Sequence, residues 1–140
     1  MKRHKRIIDT VLTACLVIVA ATGILLHLKK HGIVIEPRAV LKAIHYYTGY
    51  FFTLCALLHV QMCLPMLQKM KAKPWFRRFT WALLGFGTAV LLTGTVKLLS
   101  PVRIPHIGLW HFWFGLFMIA TAARHLWTAL PWLLAKWKKQ

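Results

Sequence analysis

Acidic residues are nearly missing from this chain: Asp9 and Glu36 are the only two in 140 positions, against 19 Lys and Arg. With 59% hydrophobic residues gathered into long runs, that scarcity excludes the charge-mixed surface of a soluble globule and marks a membrane protein. Cysteine is scarce too. Cys15, Cys55 and Cys63 lie inside apolar runs and form no CxxC or CxxCH, which excludes covalent c-type haem attachment and a thiolate zinc site. All three read as small buried residues. Long polar stretches are also absent, leaving no room for a soluble domain.

Apolar runs at 7–28, 43–67, 79–99 and 107–134 are each long enough to cross a bilayer core of ~30 Å at ~1.5 Å per residue. The stretches between them are short, at 29–42, 68–78 and 100–106. Such lengths predict an all-α fold: a transmembrane four-helix bundle, up-down-up-down, of two tandem helical hairpins in a single domain over 1–140. A net charge of +17 invites a nucleic-acid reading, but nearly all the Lys and Arg lie outside the apolar runs, so membrane lipid is the expected partner and nucleic acid is not. Twelve of them fall at the N-terminus, at 69–78 and at the C-terminus, against six toward the other side, Lys29, Lys30, Arg38, Lys42, Arg103 and Lys97 near the end of the third run. Both termini are therefore expected in the cytoplasm. Val19-Ala20-Ala21 resembles a signal-peptide cleavage site, yet the apolar run continues to Leu28, which argues against cleavage.

An internal repeat organises the chain. His45, Gly49, His59, Leu64 and Pro65 match His111, Gly115, His125, Leu130 and Pro131 at a constant offset of 66. Thr22-Gly23 and Thr93-Gly94 correspond in the runs before them, each about sixteen residues after the basic pair Lys5-Arg6 or Arg77-Arg78. The repeat halves are about 1–71 and 72–140. As both start on the same side, they are parallel copies related by a pseudo-twofold axis along the membrane normal.

The histidines carry the chemistry. Fourteen residues separate His45 from His59 and His111 from His125. That is within ~40° of four helical turns and a rise of ~21 Å, so each pair faces one way at two depths. A single imidazole in hydrocarbon reads most simply as an interhelical hydrogen bond. Four at matched depths read as axial ligands of two haems, His45 level with His111 near the outer surface and His59 level with His125 near the cytoplasm.

Several further residues fit that site. Gly23 and Gly94 near the outer pair, Ala14 and Gly85 near the inner pair, and Gly49 and Gly115 on the ligand face are positions where a flat macrocycle meets the backbone. The second imidazole nitrogen is expected to bond the carbonyl four residues before each ligand, or the Thr121 hydroxyl for His125. Arg124 is placed to pair with haem propionates or with headgroups. Asp9 reads as a complement to the dipole of the first helix. Trp75, Trp81, Trp110, Trp113, Trp127, Trp132 and Trp137 read as an interfacial belt. His27, His31 and His106 read as interfacial, with His27 the first candidate for a quinone pocket.

Two helices with His-x13-His, in second and fourth position and preceded by glycine-bearing helices, resemble the di-haem core of the cytochrome b of quinol-oxidising bc-type complexes. The whole chain is more similar still to small four-helix bacterial cytochrome b-like membrane proteins. This resemblance implies that His45 and His111 bind one haem b and His59 and His125 another. The chain lacks the extra helices and loops that build the quinone sites of the large cytochrome b, so none is carried over.

With both axial positions filled there is no open iron site, which favours electron transfer over oxygen chemistry. The expected function is transmembrane electron transfer between the quinone pool and a partner redox protein or subunit. Whether the chain serves a quinone-linked oxidoreductase is left open. Lys29, Lys30, Arg38, Lys42 and Arg103 are candidates for docking that partner, with headgroup contact the alternative. The rival functions are a structural or assembly subunit without redox-active haem, and a haem or metal transporter, against which four fixed ligands argue.

Overall fold

In the bilayer core a backbone must satisfy its own polar groups, so long apolar runs fold as helices. A computed structural model gives four: α1 (Lys2–Lys30), α2 (Arg38–Lys69), α3 (Pro74–Leu99) and α4 (Ile107–Trp137). It describes residues 2–30, 37–69, 74–102 and 104–137, with side chains at 4–28, 37–65, 77–102 and 104–128. No strand occurs among the described residues. The fold is all-α.

Each helix except α4 starts earlier than its apolar run, and each except α3 ends later, because Lys and Arg are good helix formers and carry the helix into its basic flanks. α2 passes through Pro65 and continues to Lys69. Segments His4–Leu28, Arg38–Pro65 and Arg77–Leu99 are long and apolar enough to cross a membrane. Among the described residues of α4, 107–128, no such segment occurs, and the rest of the expected span at 107–134 lies outside them. α4 carries two His, Arg124 and Trp110, Trp113 and Trp127 in its described part, and all of these lower mean hydropathy.

The chain divides into two compact units, Met1–Lys71 and Ala72–Gln140. In the first, α1 packs on α2; in the second, α3 packs on α4. Both are antiparallel hairpins. Cys15 and Cys55 are buried in the first, and Met118 is buried in the second near the Phe86–Phe117 stack at 5.3 Å. Most large apolar side chains stay exposed, among them Val17, Leu54, Leu57 and Leu92, as suits helices with lipid as their solvent.

The second hairpin turns through Ser100–His106. Ser100 donates from Oγ to the Val102 carbonyl at 2.8 Å. His106 has φ 60°, and its carbonyl accepts from the Leu109 and Trp110 amides that open α4. The equivalent connection of the first hairpin, with His31 and Glu36, lies outside the described residues.

Candidate functional site: two threonine–histidine clasps and an aspartate–histidine pair

Thr22 begins the site. Its hydroxyl donates to the Ile18 carbonyl at 2.7 Å, with Val19 O at 3.2 Å. A hydroxyl has one proton, so toward the His45 Nδ1, 3.0 Å away, the Thr22 oxygen can only accept. Nδ1 of His45 therefore carries a proton, and in the neutral ring Nε2 keeps a lone pair. The adjacent Gly23 gives the ring its place: a Cβ there would stand 3.1 Å from His45 Cε1.

The second hairpin repeats this arrangement. Thr93 donates to Ala89 O at 2.7 Å and accepts from Nδ1 of His111 at 3.1 Å. Nδ1 of His111 also lies 3.1 Å from the Val90 carbonyl, which accepts only, so the tautomer is fixed twice. A Cβ at Gly94 would meet His111 Cε1 at 3.0 Å. Gly23 and Gly94 thus admit an imidazole of their own hairpin, a closer role than the macrocycle contact expected of them.

His59 has a different partner. Its Nδ1 donates to Asp9 Oδ1 at 2.7 Å, with both side chains about a quarter exposed. The Cys63 thiol lies 3.7 Å from Nε2. Asp9 therefore bonds a histidine as well as standing near a helix start, a role its isolated position in the sequence did not suggest. One signal does point there: Asp9 and Thr22 are thirteen residues apart on α1, a near match to the fourteen between His45 and His59 on an antiparallel neighbour.

In the second hairpin His125 is half-buried, with its Nδ1 fully buried. Thr121, expected to serve that nitrogen, donates its hydroxyl to Phe117 O at 2.8 Å and Met118 O at 3.0 Å. Such back-bonding to the preceding turn is the ordinary habit of a helical threonine. His45 and His111 each bond a threonine of the neighbouring helix, a partner other than the expected carbonyl of their own helix. Thr80 stands 71 positions after Asp9, the same offset that relates Thr93 to Thr22.

The remaining candidates are simpler. A Cβ at Gly49, Gly85 or Gly115 would meet nothing within 4 Å. Ala14 and Arg124 are exposed, His27 is half-buried on α1, and His106 is exposed beside the turn. Trp81, Trp110, Trp113 and Trp127 are exposed; the side chains of Trp75, Trp132 and Trp137 lie outside the described residues, as do those of Lys29, Lys30, Arg103 and Pro131.

Imidazoles whose Nδ1 is held by an acceptor present Nε2 to a metal, and three of the four histidines are held in this way. A haem iron takes only two ligands from protein, so two such imidazoles suffice. Among the described residues no three His, Cys, Asp or Glu come together to hold a bare metal ion.

Fold and site together define an all-helical protein of two repeated hairpins, apolar enough for a membrane, each with a histidine clasped by a Thr-Gly pair. Compared with protein-family models, curated proteins and solved structures, the chain matches none.

Proposed function

We propose that the chain is a bis-histidine di-haem b-type cytochrome that carries electrons across a bacterial inner membrane, between the quinone pool and a partner redox protein or subunit. His45 and His111 hold one haem and His59 and His125 the other. Haem supplies a one-electron carrier that exchanges electrons without an open coordination site. The protein supplies ligand nitrogens in one tautomer, at two depths. The observation that carries this reading is the repeated clasp, in which Thr22 on His45 and Thr93 on His111 use the same bonds to leave Nε2 free of its proton. Both termini lie in the cytoplasm, as the basic residues favour.

The test is a reduced-minus-oxidised spectrum of the purified chain with haem counted per chain. Two non-covalent haems b are expected. His45→Ala and His111→Ala should remove one spectral component, and His59→Ala and His125→Ala the other. If His45→Ala and His59→Ala remove the same component, the pairing is wrong.

A structural subunit is the second reading. Cys63 lies against the nitrogen of His59 that iron would take, and Thr–His and Asp–His bonds also hold hairpins together in their own right. A purified chain without Soret absorbance decides for it.

A further inference from the structure

The imidazole of His59 is engaged at both nitrogens. Nδ1 donates to Asp9 Oδ1 at 2.7 Å, and the Cys63 Sγ lies 3.7 Å from Nε2, one turn further along α2. Carboxylate, imidazole and thiol in that order let a base take the proton of a nucleophile, because the carboxylate keeps a proton on Nδ1 and leaves Nε2 to accept. The Lys5 ammonium is within hydrogen-bond reach of the same thiol, so a cation stands ready for negative charge that develops beside the sulfur. His59 and Asp9 are each about a quarter exposed and Cys63 is half-buried, which leaves the group open to a substrate. All four residues belong to the first hairpin.

Their place at one end of that hairpin fits one class of substrate. Lys5 is one residue inside the membrane-crossing segment His4–Leu28, and Cys63 is two residues before the end of Arg38–Pro65. Both therefore sit where headgroups meet acyl chains. Ile7 and Leu64 are exposed apolar side chains at the same level, and the start of α1 is basic, with Lys2, Arg3, Lys5 and Arg6. An acyl chain can lie in the lipid there while an anionic head meets the basic flank.

We propose that Cys63 is an S-acylation site, a nucleophile that takes the acyl group of a long-chain acyl thioester on an anionic carrier, with His59 as general base and Asp9 as the residue that positions His59. As the bond from Sγ to the acyl carbon forms, the thiol proton passes to Nε2 of His59. The bond from that carbon to the carrier sulfur then breaks, and the sulfur leaves with the proton. One thioester replaces another, so no oxidant or reductant is consumed. The proposal does not rest on the haem reading; it uses the nitrogen that iron would take, so His59 serves one or the other at a time.

Palmitoyl-coenzyme A added to the purified full chain in phosphatidylcholine vesicles, without haem, tests this by intact mass and by release with neutral hydroxylamine. One labile palmitoyl group is expected, on Cys63 and not on the buried Cys15 or Cys55. Cys63→Ser should abolish it, and His59→Ala should slow it about 100-fold, as loss of a general base does. Asp9→Asn should slow it too, with Asp9→Glu restoring the rate. A rate unchanged in His59→Ala, or acyl groups spread over all three cysteines, overturns the proposal. Should the variants fail to fold, the wild-type chain loaded with haemin still decides. With iron on His59 acylation should slow as in His59→Ala; a chain that binds haemin and acylates as before overturns the proposal and leaves the haem reading standing. Acylation at Cys63 in a chain that never takes up haemin supports the proposal and overturns the haem reading.

Discussion

A threonine and a glycine in sequence do two jobs for one imidazole: the hydroxyl fixes where its proton sits, and the missing Cβ fixes how near the ring comes. Thr22→Val keeps the shape and removes the acceptor, so haem affinity should fall about 10- to 100-fold, as for other partners of metal ligands. Thr22→Ser should retain most of it; haemin titration of the two variants makes the comparison. Gly23→Ala and Gly94→Ala place a methyl at 3.1 and 3.0 Å from a ring carbon, forcing the ring to move by a few tenths of an ångström. Both should bind haem more weakly than wild type. Gly49→Ala separates two roles, since a Cβ there meets no protein atom. Thermal stability of the haem-free chain should be unchanged, and a fall in haem retention would place the macrocycle at that glycine. The four histidines and the Thr-Gly pairs were visible in the sequence because the repeat doubled them. Asp9 was not, because its partner lies fifty positions away and its match in the second half is a threonine.

Helix positions could be read from the apolar runs, whereas helix ends other than the end of α3 and the start of α4 could not, since basic flanks have helix propensity but no hydrophobic signal. The register between neighbouring helices was likewise hidden, being set by contacts between α1 and α2 and between α3 and α4. That register is a testable property of α2. Asp9 meets His59 and Thr22 meets His45 only because both helices keep their faces aligned over ~20 Å. One alanine inserted between Phe52 and Thr53 turns His59 by ~100° relative to His45. Only one contact then survives, and haem per chain should drop from two toward one. An unchanged count of two would mean that the helix faces do not set the sites.

Topology can be checked with a reporter fused after Gln140, which should behave as cytoplasmic given the twelve basic residues on that side. Periplasmic activity would reverse the two sides of the molecule. The six basic residues assigned to the opposite side, Lys97 near the end of α3 among them, stand against a single acid there, Glu36. Electrostatic docking of an acidic partner there predicts that its electron exchange with the outer haem slows as salt rises, because charges beyond ~8 Å are screened at physiological ionic strength. Charge reversal at Lys29 and Lys30 should slow it further with the spectrum unchanged. A rate indifferent to both points to exchange with quinone inside the bilayer, and then to His27.

The Asp9–His59 contact also bears on how the chain enters its membrane. Asp9 is five residues inside the apolar segment that begins at His4, about 7.5 Å along the helix, where an unpaired carboxylate resists transfer into lipid. Its partner is synthesised only after the first connection has been made. Pairing with His59 removes that cost, so α1 is expected to enter lipid together with α2. The second hairpin has Thr80 at the matching position, so the carboxylate's demand for a partner falls on the first hairpin alone.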